Sequence, residues 1–138
     1  MEPITVTGKL RSAEGFTIIE LMVVMSLIVT LSTIAVVQYR HSVMYSKEAI
    51  LKEDLFRMKE AIDQYYADKN QYPPTLDDLV SAGYLRSIPT DPITNSASTW
   101  ETEPAPADPN NPTAVGGVYS VKSGADSTAM DGSKYSDW

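Results

Sequence analysis

Residues 16–37 read FTIIELMVVMSLIVTLSTIAVV, an almost unbroken apolar run in which Glu20 is the single charged side chain. A helix crosses the hydrocarbon core of a bilayer with about 20 apolar residues, so this run is long enough to span. Ser26, Thr30, Ser32 and Thr33 fit within it, because their hydroxyls can bond back to helix carbonyls. Gln38, Tyr39, Arg40 and His41 follow as a polar and aromatic border of the kind found at a membrane surface. Residues 39–70 contain neither Pro nor Gly and are rich in good helix formers. Within them Leu51, Leu55, Met58, Ile62 and Tyr65 recur at spacings of four and three, a single apolar stripe, while Lys47, Glu53, Arg57, Glu60 and Asp63 fall off it. The pattern predicts that the membrane helix continues as an amphipathic helix to about Asn70, roughly 80 Å in all, until Pro73 and Pro74 end it. Only about three heptads are present, short for a coiled coil, so the stripe is expected to seat a small head on its own helix.

After the prolines the pattern becomes short and punctuated. Thr75 is an N-cap candidate for a brief helix with Asp77 and Asp78 in its first turn, and Gly83 is its C-cap candidate. Residues 84–92 read as an extended turn directed by Pro89 and Pro92. Two strands are expected, at 98–103 around Trp100 and at 118–122, where Val118 and Val121 lie among polar neighbours. The Pro-rich stretch 104–112 cannot pair as a central strand and reads as an exposed loop joining them. The fold class is α+β: a long N-terminal helix packed against a small antiparallel sheet of two or three strands. Two strands alone are marginal, so the helix must supply most of the head's stability.

The chain has 138 residues and no cysteine, which excludes a disulfide framework and thiolate metal sites. Its net charge is −7. Lys9 and Arg11 offset Glu2 and Glu14, so the excess lies beyond residue 15. That distribution argues against nucleic acid as a partner, since phosphate binding needs clustered cations. His41, the single histidine, stands at the membrane border. No triad, phosphate loop or zinc spacing accompanies it, so an enzyme is not expected.

A secretory signal places its cleavage site after a short apolar core. Here the cleavable-looking residue, Gly15, stands before the apolar run, and cutting there would leave the membrane helix on the mature chain. A carboxylate deep in a bilayer costs about 2.5–3.5 kcal/mol or more, so Glu20 needs a reason. It lies one helical turn after Phe16. A new α-amino group on Phe16 would pair with it, on the same chain or a neighbouring one, offsetting the cost and fixing axial register.

The string from Gly15 through Phe16, Thr17, Ile18, Ile19, Glu20, Leu21 and Met22 to Val24 resembles the processing motif of the type IV pilin-like prepilins. Tyr72-Pro73, Leu79, Gly83-Tyr84-Leu85, Ile88-Pro89 and Asp91-Pro92 are further similar to the landmarks of the major (G-type) pseudopilins of type II secretion. The resemblance implies a pilin-like fold and a set of segments. These are a leader at 1–15 that is removed, an assembly helix at 16–37, its amphipathic continuation at 38–71 and a periplasmic head at 72–138. It implies that a prepilin peptidase cuts after Gly15, that Phe16 is N-methylated and that Glu20 is the assembly glutamate. It further implies a homo-oligomeric helical filament, reached from the inner membrane with minor pseudopilins and an assembly platform as partners and lipid around the helix beforehand. Glu14 departs from the basic residue more usual before the cleavage site. The alternative from the same superfamily is a type IV pilin or minor pilin of a surface fibre, though such pilins frequently close a C-terminal loop with a disulfide. A signal-anchored binding protein that never polymerises would have no use for Glu20.

The C-terminal stretch 123–138 is rich in Asp, Gly and hydroxyls. Calcium takes about six to eight oxygens, and the resemblance implies a calcium ion in this loop. Asp126 matches the family pattern best, and Asp131 and Asp137 are the further candidate ligands. The competing reading is a set of solvated turns. Tyr135 and Trp138 are expected to pack over the sheet.

Overall fold

The computed structural model describes residues 15–106 and 116–138. The expected leader up to Glu14, and residues 107–112 of the expected exposed loop, lie outside the described residues. The described residues divide into two units, one ending at Tyr39 and the other beginning at Arg40.

The first unit holds the N-terminal part of helix α1, Ile18–Lys69. Residues 15–17 precede the helix. The helix starts at Ile18, two residues later than the apolar run, because Thr17 caps it: the Thr17 Oγ1 accepts a 3.2 Å bond from the Glu20 N–H. Further along, Ser26 donates to the Val23 carbonyl, Thr30 to that of Ser26 and Thr33 to that of Val29. Those hydroxyls are thus satisfied within the helix, as a lipid environment demands. Among the described residues this is the one helix long and apolar enough to cross a membrane, with a window of mean hydropathy 2.3 that buries nothing within the protein.

The second unit is the head. Its core gathers Leu51, Met58, Ala61, Ile62 and Tyr65 of α1 with Leu79, Trp100, Val118, Val121, Ala125, Ala129 and Tyr135. The stripe read from the sequence is therefore the buried face of α1, with Leu55 half-buried beside it. Phe56, off that stripe, is 65% exposed. Helix α2, Leu76–Ser81, opens on Thr75, whose N–H and hydroxyl both donate to the Asp78 carboxylate at 3.0 and 2.7 Å. It closes one residue before the expected cap. Ala82 is the C-cap, and Gly83 follows with a φ of +83°, where glycine carries no steric penalty. The Gly83 N–H reaches the Val80 carbonyl and the Tyr84 N–H that of Leu79, the paired bonds of a Schellman ending.

Strand β1, Trp100–Pro104, pairs antiparallel with β2, Val118–Ser123, with Trp100 opposite Ser123 and an irregularity between Glu103 and Pro104. Both strands are edges, which is why Pro104 is tolerated at the end of β1. The Val118 N–H donates to the Pro73 carbonyl and the Lys59 Nζ to that of Tyr119, fastening β2 to the turn after α1 and to α1 itself. A Cβ at Gly124 would strike the Thr99 carbonyl oxygen, so the backbone passes there only as glycine. Between α2 and β1, Asp91 is fully buried. Its carboxylate accepts from the Ile93 and Thr94 N–H groups at 2.7 and 3.3 Å and from the Ser123 hydroxyl at 2.6 Å, which ties the long loop to β2.

Candidate functional site

At the N-terminal end, Gly15, Phe16 and Thr17 lie ahead of the helix and are exposed, Phe16 by 80%. Glu20 stands in the first turn of α1. That is the end of a helix where unpaired N–H groups and the macrodipole favour a negative charge. The sequence Thr17-Ile18-Ile19-Glu20 has capping-box spacing, a signal that the apolar reading of the segment passed over. Cap and carboxylate act together: Thr17 fixes where the helix begins, and that fixes how far Glu20 stands from residue 16. The geometry leaves the Gly15–Phe16 bond in exposed chain ahead of the helix and places one carboxylate a turn beyond it.

The three aspartates read as candidate calcium ligands are all exposed. Asp131 Oδ1 accepts from the Ser133 hydroxyl at 2.6 Å and the Ser133 N–H at 2.9 Å, and these bonds hold its carboxyl below the usual carboxylate range. Asp137 ends the short 3-10 turn Tyr135–Asp137. Among the described residues no three His, Cys, Asp or Glu side chains are grouped so as to hold a metal ion. Asp126, Asp131 and Asp137 are thus not gathered as side chains around one point, and a calcium ion here would draw on backbone carbonyls and hydroxyls as well.

The acid that does organise this stretch is one that sequence reasoning counted only as a helix former. Glu48 of α1 is 8% exposed. Its Oε1 accepts from the Met130 N–H at 2.8 Å and from the Tyr135 hydroxyl at 2.9 Å. Burial first, and the bond to Glu48 second, push the Tyr135 phenol up to about 12. Four residues along α1, the Lys52 ammonium lies 4.1 Å from the centre of the Trp138 ring, which meets Tyr135 edge to face. The signal was present: Glu48 is three residues before Leu51, in register with the apolar stripe.

Elsewhere on the head, an open groove of about 380 Å³ runs between α1 and the 84–89 segment, lined by Asp54, Arg57, Glu60, Tyr84 and Arg86 among others. Burial raises the Asp54 carboxyl and Arg57 opposes that shift. His41 is exposed and remote from this groove in sequence.

A family model described as a prokaryotic N-terminal methylation motif matches residues 10–36. The chain is 32% identical over 101 residues to the type II secretion system core protein G of Pseudomonas aeruginosa, covering 62% of this chain and 71% of that protein. It is 32% identical over 101 residues to the protein of the same name from Escherichia coli K12, covering 59% and 67%. The Aeromonas hydrophila protein of that name is 29% identical over 101 residues, with 62% and 71% covered. No solved structure matches the chain.

Proposed function

The chain belongs to the type II secretion system core protein G family, and from that membership we propose that it is a structural subunit of a secretion pseudopilus, matured by cleavage between Gly15 and Phe16. In this reading the leader is removed by a prepilin peptidase and Phe16 is N-methylated. The apolar part of α1 then holds the chain in the inner membrane with its head in the periplasm. Subunits leave the membrane to form a helical filament, working with minor pseudopilins and an assembly platform. The role is structural, with no catalytic step of its own.

The observation that carries the proposal is Glu20. It is the one charge in the apolar run, and it stands in the first turn of a helix capped at Thr17. Cleavage would give Phe16 a cationic amine within one turn of that carboxylate. Paired with the amine of a neighbouring subunit, Glu20 would be neutralised only when the subunits sit in one axial register, so the charge would act as a ruler for assembly. A surface fibre rests on the N-terminal motif alone. The likeness to core protein G extends over 101 residues, well beyond that motif, and favours the secretion reading.

Intact-mass analysis of the membrane-purified protein tests the processing step. The expected product begins at Phe16 with one added methyl group. A chain retaining residues 1–15 overturns the reading.

A further inference from the structure

The stretch 123–138 is folded by bonds that need no cation. The Ala129 N–H donates to the Ser133 carbonyl, Gly132 donates back to Ala129, and Thr128 and Lys134 form an isolated antiparallel bridge. The Trp138 indole N–H donates to the Ser133 hydroxyl at 2.7 Å, and that hydroxyl in turn donates a hydrogen bond to Asp131 Oδ1. Asp131 thus serves an internal turn, and its bonded oxygen is turned to Ser133. What remains is to hold this folded stretch against α1, and two side chains four residues apart on that helix do so. Glu48 receives the Met130 N–H and the Tyr135 hydroxyl, and Lys52 lies over the Trp138 ring. The Tyr135 ring itself is 1% exposed in the core.

We propose that the Glu48 carboxylate and the Lys52 ammonium anchor the C-terminal stretch to α1, the role a bound calcium ion would otherwise serve, so that the head folds without calcium. A cation binds such a loop by collecting its oxygens, carboxylate and carbonyl alike, around one point. Here the negative charge comes from the helix and is matched by donors of the loop, a hydroxyl and a backbone N–H. A charge-assisted bond of this kind is about twice as strong as a neutral one. The ring of Trp138 offers its face to Lys52, a second contact of opposite sense. The inference concerns the head and stands apart from the filament reading; either can fail without the other.

The test is thermal melting of the full chain in detergent micelles, with calcium chloride or with a chelator. The expected midpoints agree within about 1 °C, since a ligand that does not bind the folded state leaves its stability unchanged. Glu48→Leu is expected to lower the midpoint by roughly 5–10 °C in both conditions. Glu48→Gln, which keeps an acceptor oxygen but not the charge, restores about half of the loss. Should Glu48→Leu fail to fold, Tyr135→Phe removes only the donor hydroxyl and is expected to lower the midpoint equally with and without calcium. A midpoint that rises on adding calcium to the natural chain overturns the proposal. So does a Glu48→Gln chain as unstable as the Leu variant, or a Tyr135→Phe chain that melts unchanged.

Discussion

The Tyr135 hydroxyl donates a 2.9 Å bond to the Glu48 carboxylate, joining residues 87 positions apart inside the head. Below its ordinary value near 10 the phenol is a donor in both folded and unfolded chains. Its folded value is raised to about 12, so the folded chain holds that proton more tightly between the two values. The stability tied to this proton, through burial of the phenol first and the bond to Glu48 second, is therefore present up to the ordinary value and is lost as pH rises through the raised one. The loss amounts to about 2–3 kcal/mol. Urea unfolding across the alkaline range checks it, and Tyr135→Phe should flatten that part of the profile.

Glu20→Ala is expected to leave the protein in the membrane fraction and to abolish filaments. Removing a charge from an apolar helix favours insertion, so a loss of assembly would not be a failure to enter the bilayer. Electron microscopy beside membrane fractionation separates the two. Normal filaments from the variant would refute the pairing of Glu20 with a subunit amine.

Thr17→Ala removes the acceptor of the Glu20 N–H. The first turn of α1 should fray, at a cost of about 1 kcal/mol to that end of the helix. Amide exchange at residues 18–20 in micelles should quicken several-fold, while exchange at residues 58–62 stays as it was. Uniform exchange rates in both chains would show that the cap does not set the helix start.

Ser123→Ala deletes the hydroxyl that donates to the buried Asp91 carboxylate at 2.6 Å. Leaving part of a buried carboxylate unpartnered costs about 1–3 kcal/mol. Urea denaturation should show that loss with an unchanged slope. The neighbouring Gly124→Ala should cost at least as much, since its Cβ meets the Thr99 carbonyl oxygen.

The long elements of this fold were legible because periodicity names a buried face without knowledge of what covers it. Leu51, Met58, Ile62 and Tyr65 declared their side of α1, and the core lies there. Both strands were found within one or two residues, Trp100 and Val118 being the apolar positions that anchor them. At the N-terminal site the residue types Gly15, Phe16 and Glu20 were readable as a string, but the helix start was not. An apolar run has no polar side to mark its first turn, and the mark was the hydroxyl of Thr17. Asp91 and Glu48 stayed hidden for a related reason. A carboxylate looks solvated until the donors that reach it are known, and those of Glu48 come from Met130 and Tyr135, in a stretch with no period to read. The same lack of period leaves the relation among Asp126, Asp131 and Asp137 unreadable from the string alone.

The two-stranded sheet and the helix are sealed by side chains that arrive late in the chain. Loop-closure entropy must be met before distant contacts repay it, and chains ruled by such contacts fold slowly. While a nascent chain still lacks residue 135, Glu48 has no hydroxyl to receive and the apolar stripe of α1 lacks part of its cover. The order of synthesis therefore leaves the sealing of the head to its last residues, and a chain cut short before Tyr135 should not close over that face of the helix.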